Sequence, residues 1–149
     1  KFRILEKLNL KGTFKHQASA IERLTEKYKV DFIGVDCTGM GIGVFEQIKL
    51  FYRRVTPIHY SLDTKTTLVL KAVDVVESGL IEWDAEHTDI PQALLQVQQT
   101  TTGHDKITYV ADRNSTTGHA DIAWSLMHAI DKNKLNRNKT RKSTWGIAA

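Results

Sequence analysis

Two carboxylates in similar local settings are the residues of this chain best placed to do chemistry. Asp36 closes the apolar run Phe32-Ile33-Gly34-Val35, and the chain then turns through Gly39, Gly41 and Gly43 into an amphipathic segment. In open α/β sheets, ligands gather at the carboxyl ends of the strands. Asp121, in Gly118-His119-Ala120-Asp121, opens the last strong helical pattern. Each acid also has a structural explanation. A carboxylate directly after four apolar strand residues risks costly burial without a partner. Capping the following turn with its side chain resolves that cost, and so does coordinating a metal. An acid in the first turn of a helix is stabilised by the macrodipole. Two acids at the ends of adjacent sheet elements are, together, what metal-dependent phosphodiester cleavage needs. Hard Mg²⁺ or Mn²⁺ takes oxygen ligands. A metal pair about 4 Å apart activates a water and stabilises the departing oxygen.

Other candidates are less specific. His119, two residues before Asp121, could orient a phosphate or a water, or could sit on a helix surface. Asp112 ends the alternating segment Ile107–Ala111 and is an accessory acid. The spacing Gly39-x-Gly41-x-Gly43 is not GxGxxG, and no GxxxxGK[ST] occurs, so a P-loop is excluded. The glycines read more simply as a strand-to-helix turn that permits close backbone approach. No HExxH and no nucleophile elbow are present, and Cys37, the one cysteine, reads as a small buried side chain. A single cysteine excludes an internal disulfide and a CxxC zinc site, and a reducing cytoplasm is its natural setting.

The elements that must position these residues can be read from periodicity. Residues 2–9 are apolar but irregular and predict a strand. Thr13 can cap a helix with Phe14, Ala18, Ile21, Leu24 and Tyr28 on its buried face. Val30 to Val35 reads as a strand covered on both faces, and Val44 to Tyr52 as a helix. Val55 to Tyr60 follows as a strand whose Pro57 suits an edge. Thr64 to Ser78 predicts a helix stopped by Gly79. A brief extended piece, Ile81-Glu82-Trp83, precedes a helix from Thr88 with Leu94, Leu95 and Val97 facing inward. A strand over Ile107–Ala111 and a helix capped by Thr117 complete the pattern. Strands alternating with helices call for an α/β domain with a mostly parallel sheet, the Asp36 strand in its interior and helices on both faces.

The 149 residues are 41% hydrophobic and 26% charged. That composition fits one globular domain. No stretch approaches the ~18 consecutive apolar residues of a membrane span, and no signal-peptide pattern opens the chain. Lys1 stands where a start Met would, as in an excised fragment. The net charge of +4 is concentrated near the end, where Lys132, Lys134, Arg137, Lys139, Arg141 and Lys142 occur without an acid. Such a run fits either a polyanionic partner or a solvated tail.

The motifs also carry a family resemblance. Asp36-Cys37-Thr38-Gly39-Met40-Gly41-Ile42-Gly43-Val44-Phe45 resembles the middle motif of the nuclease domain in large terminase subunits of tailed bacteriophages, where an acid ends a strand before a small-residue turn and a helix. Gly118-His119-Ala120-Asp121-Ile122-Ala123-Trp124-Ser125 is similar to that family's last motif. Between them, Lys65-Thr66-Thr67-Leu68-Val69-Leu70-Lys71 and Glu77-Ser78-Gly79-Leu80-Ile81 look like its lysine-containing helix and glycine turn. The resemblance implies an RNase H-like mixed sheet with helices on both faces, over residues 1–135, followed by a basic tail over 136–149. It implies a two-metal endodeoxyribonuclease that uses Mg²⁺ or Mn²⁺ to cut concatemeric double-stranded DNA during packaging, in the host bacterial cytoplasm. Asp36 and Asp121 would be its catalytic metal ligands, His119 and Asp112 accessory groups, and Lys65, Lys71, Lys139, Arg141 and Lys142 DNA contacts. The ATPase domain of the same subunit, the small terminase subunit and the portal are the implied partners, with no membrane. In the family the first metal-binding acid lies on the opening strand, followed by a hairpin. Here a single strand precedes the first helix, so that acid and about two strands are expected to be missing, leaving the fragment slow or inactive. The competing reading is an RNase H-like module that docks DNA or portal without cutting. A third is a nucleotide-binding α/β domain that uses the glycine turn.

Overall fold

A computed structural model describes residues 1–111 and 120–133. Within them the order is β1 (Phe2–Arg3), α1 (Phe14–Lys27), β2 (Gly34–Asp36), α2 (Gly41–Lys49), β3 (Thr56–Ile58), α3 (Leu62–Glu77), β4 (Ile81–Glu82), α4 (Asp89–Leu95), β5 (Val97–Thr101), β6 (Ile107–Ala111) and α5 (Ala120–Asp131).

Local chemistry sets the helix ends. The Thr13 hydroxyl accepts from the His16 backbone N–H at 3.2 Å. This side-chain cap fixes the start of α1. Ser61 does the same for α3, accepting from Thr64 N at 3.0 Å, so this helix begins two residues before its apolar rhythm. It ends at Gly79, whose φ of +59° lets Leu80 N reach Val75 O at 2.9 Å and Gly79 N reach Val76 O at 3.0 Å. That pair of bonds satisfies two carbonyls the helix would otherwise leave orphaned.

The described strands form three two-stranded ladders: β1 with β4 and β2 with β3, both parallel, and β5 with β6, antiparallel. The expected mixture of strand directions is present. The interior position expected for the Asp36 strand is not, because among the described residues β2 is paired on one side only, through Gly34↔Thr56, Val35↔Pro57 and Asp36↔Ile58. Pro57 fits there, since β3 is also paired on one side only among the described residues. A proline on an edge forfeits no ladder bond.

Three further differences have physical causes. The predicted strand over residues 2–9 shrinks to Phe2–Arg3, with one further bond from Ile4 N to Glu82 O at 3.0 Å. Beyond it the chain is held by side-chain charges: Glu6 pairs with Lys27 and accepts from Tyr28 Oη at 2.5 Å, while Lys7 pairs with Asp89. Val97 does not extend a helix but opens β5, and Leu95 is 81% exposed instead of facing inward. Four of the five residues of β5 are exposed, so it lacks the apolar alternation by which a half-buried strand is recognised. The Thr117 cap lies outside the described residues.

Two apolar clusters organise the interior. The larger joins α3, α4, β6 and α5 through Leu68, Val75, Ala93, Tyr109, Ala123 and Met127. The smaller joins α1, α2 and the approach to β3 through Ala18, Ile48 and Val55, with Ile33 and Val35 packed against it. Asp36 stands at the edge of the smaller cluster and Asp121 at the start of a helix from the larger one.

Candidate functional site

The turn after β2 is built around the Asp36 carboxylate. Oδ1 accepts from Thr38 N at 2.8 Å. This Asx turn redirects the chain away from the strand. Cys37 is buried, and its N–H donates to Ile58 O at 2.8 Å, carrying the parallel ladder one residue past the acid. Burial pushes the Cys37 thiol above its ordinary value, with the negative charges of Asp36 and Glu46 acting the same way. A thiol so placed stays protonated and inert. Gly41 completes the turn: a Cβ there would lie 1.7 Å from the Asp36 carbonyl oxygen. The glycine motif is therefore a close approach of α2 to the strand end, the simpler of the two readings of the sequence.

Asp121 lies in the first turn of α5 and is exposed. Both acids line one open cleft of about 1280 Å³, together with Thr38, Tyr60, Lys65 and His128. The capping role of Asp36 occupies one of its oxygens and leaves Oδ2 without a hydrogen-bond partner among the described residues. The structural and ligand-binding accounts of this residue are thus compatible.

Between the acids stands an aromatic network that no local motif announced. Tyr60 follows β3; its backbone N–H donates to Thr38 Oγ1 at 3.0 Å, and its phenol oxygen lies 2.8 Å from His128 Nε2. Its ring meets that of Trp124 at 5.1 Å between centroids, tilted by 49°. Lys65 Nζ lies 5.8 Å from the centroid of the same ring. That separation is within reach of a cation–π attraction. Burial, reinforced by the negative charges of Asp36 and Asp121, pushes the Tyr60 phenol well above its ordinary value. Burial likewise lowers His128, against the opposing pull of Asp36 and Asp131. Both shifts favour the uncharged forms, a phenol beside a neutral imidazole, and the tautomer of His128 sets which of the two donates. One sequence signal was available: Asp121, Trp124 and His128 are spaced i, i+3, i+7 and share a helix face.

Of the remaining candidates, Lys71 is not brought to the cleft. Its ammonium donates to the Asp131 carbonyl at the far end of α5, and burial lowers its pKa. His119, Asp112, Lys139, Arg141 and Lys142 lie outside the described residues.

The donor chemistry fits a hard divalent cation. Two exposed carboxylates on one cleft offer anionic oxygens, and an open cleft leaves room for water ligands. Among the described residues no group of three or more His, Cys, Asp or Glu is arranged to hold a metal ion.

Known proteins share this arrangement of elements. The family model described as "Terminase RNaseH-like domain" matches residues 1–133. The chain is 45% identical over 132 residues to the "Terminase, ATPase subunit" of Escherichia phage P2, an alignment that covers 87% of this chain and 22% of that protein. It is 37% identical over 150 residues to the "Probable terminase, ATPase subunit" of Haemophilus phage HP1, covering 99% of this chain and 25% of the relative. The chain thus spans about a quarter or less of the length of these relatives. Among solved structures it is similar to the large terminase nuclease of thermophilic phage G20c, solved with bound cobalt and with bound magnesium. Each has a TM-score of 0.68 and 22% identity, covering 83% of this chain and 64% of the other. The fold is that of the RNase H-like terminase nucleases.

Proposed function

The chain belongs to the terminase RNase H-like domain family, and from that premise we propose that it is the nuclease portion of a phage large terminase subunit, a metal-dependent endonuclease that cuts concatemeric double-stranded DNA during packaging. The observation that carries this reading is that Asp36, at a strand end, and Asp121, at a helix start far along the sequence, line the same cleft. Mg²⁺ or Mn²⁺ is the cofactor, held by the two carboxylates. When bound, such an ion supplies Lewis-acid stabilisation to a phosphodiester substrate. The chain's own residues do the rest. Asp36 and Asp121 bind and orient the cation, and Lys65 presents a positive charge to the DNA backbone on the cleft wall. The face of Tyr60 and Trp124 limits water on one side.

Residues 1–135 would form the nuclease domain and 136–149 a basic tail, in which Lys139, Arg141 and Lys142 add sequence-independent affinity for the phosphate backbone. The relatives' names support an ATPase part of the same subunit as a partner; the small terminase subunit and the portal would complete the machine in the host cytoplasm. The alternative is an RNase H-like domain that holds DNA or portal without cutting. Nicking of supercoiled plasmid separates the two readings. Cleavage that requires Mg²⁺ or Mn²⁺ and disappears in Asp36→Asn and Asp121→Asn is expected, assayed in this chain and in a longer one that includes residues upstream. Salt-sensitive DNA binding with no cleavage in either chain would establish the binding module instead.

A further inference from the structure

The two acids are carried by elements that pack in different apolar clusters, and a metal site tolerates little variation in the separation of its ligands. Something must therefore set the position of α5 against the β2 turn. Tyr60 contacts both. Its backbone N–H donates to Thr38 Oγ1 at 3.0 Å, and Thr38 in turn donates its own N–H to Asp36 Oδ1 at 2.8 Å. On the other side its phenol oxygen meets His128 Nε2 at 2.8 Å, and its ring packs against Trp124. Trp124 and His128 stand three and seven residues after Asp121, on the face of α5 that carries the acid. A chain of contacts therefore runs from Asp36 through Thr38, Tyr60 and the pair Trp124/His128 to Asp121.

We propose that Tyr60 is a positioning residue that braces the two acid-bearing elements, holding the Asp36 turn and the first turn of α5 at the separation a shared divalent cation requires. The inference rests on the metal-site reading above and adds to it a residue that itself ligates nothing. Two features argue against a merely space-filling role. A core aromatic would be satisfied by ring contacts, yet here the hydroxyl is partnered by a side chain 68 positions away in sequence, on the acid-bearing helix itself. The Tyr60 backbone is also bonded to a side chain, that of Thr38, in the very turn that Asp36 caps. Removing the phenol oxygen alone should therefore loosen the geometry while preserving the packing.

The test uses the full 149-residue chain in three forms: unchanged, Tyr60→Phe and His128→Gln. Mn²⁺ titration by calorimetry is read beside amide hydrogen exchange of the first turn of α5 in metal-free protein. Changing a group that orients a ligand typically costs about 10–100-fold in metal affinity, so Tyr60→Phe should weaken Mn²⁺ binding roughly tenfold. It should also speed exchange in the first turn of α5 while leaving the middle of α3 protected. His128→Gln retains a polar partner for the phenol and should fall between the two. Equal Mn²⁺ affinity in all three forms would overturn the brace while leaving the metal site intact. If the unchanged chain binds no Mn²⁺, the metal-site reading fails, and exchange then decides the brace alone. Unaltered protection of α5 in Tyr60→Phe refutes it, and selective loss of protection supports a brace that serves another ligand of the cleft.

Discussion

The two acids are held by opposite kinds of structure. Asp36 is fixed locally: its own side chain caps its own turn, a glycine closes against its carbonyl, and the neighbouring N–H stays in the ladder with β3. Asp121 sits in the first turn of a helix, with no comparable cage among the described residues, and α5 packs through Ala123, Met127 and Ile130 on the larger cluster. Among the described residues, one acid is held by a few covalently close atoms and the other by the packing of its helix. The strand-end acid should therefore tolerate almost no change in its backbone neighbours, and the helix acid should respond to changes far along α5.

The largest effect should come from removing either charge. Mn²⁺ or Mg²⁺ should raise the melting temperature of the chain, as any ligand selective for the folded state does. Asp36→Asn and Asp121→Asn should each abolish that shift, and the double change should add nothing, since one site is broken twice. Thermal scans with and without metal check this. Asn retains an oxygen able to accept from Thr38 N, so Asp36→Asn should keep the turn. An Asp36→Asn protein that still shows the full metal shift would falsify the shared site.

A backbone change sharpens the contrast. Gly41→Ala would push a methyl group to 1.7 Å from the Asp36 carbonyl, which no rotamer change relieves. Overpacking costs about 1–3 kcal/mol where side chains can shift, and against backbone the loss should reach at least the top of that range. Ala123→Gly on α5 should cost only about 1 kcal/mol, mostly from helix propensity. Urea denaturation measures both. Comparable losses at the two positions would remove the distinction between a locally caged acid and a helix-borne one.

A smaller effect should appear with pH and belongs to the α5 side. His128 is lowered from its ordinary 6.5 by burial, and the charges facing it are Asp36 and Asp131, beside the neutral Tyr60 phenol. Below that ordinary value the unfolded chain takes up a proton that the folded chain resists, so the unfolded state is favoured. The contribution of His128 is complete above it and is lost as the pH falls from there towards the lower folded value. Melting temperatures between about pH 7.5 and about pH 5 should therefore fall, with a shallower slope in His128→Gln. The smallest effect concerns the basic tail. Truncation after residue 135 should reduce the salt dependence of DNA binding by roughly one unit of slope for each phosphate that the tail no longer neutralises. A salt titration of binding with an unchanged slope would mark the tail as solvated only.

The same contrast explains what could be read in advance. The Asp36 turn was legible because everything that shapes it lies within a few residues: the apolar run, the acid and the glycines. The helices were legible from their periodicity and from the Thr13 and Gly79 signals. Tyr60 was not, because its role arises from partners at positions 38, 124 and 128, and no spacing near residue 60 encodes them. Strand β5 was missed for a different reason. Gln98, Gln99, Thr100 and Thr101 are all exposed, so hydrogen bonding to β6 and not burial makes them a strand. The interior placement of β2 followed from its apolar composition, yet Phe32, Ile33 and Val35 are only partly buried.

The segment between β1 and α1 has a consequence for how the halves of the molecule move together. It has no regular structure, yet Glu6 is tied to Lys27 and Tyr28 on the α1 side, while the next residue, Lys7, is tied to Asp89 on α4. Adjacent residues thus clasp the two apolar clusters by ion pairs, the class of contact that dissolved salt weakens most readily. Raising the ionic strength should therefore loosen these two ties between the clusters before it affects their apolar packing.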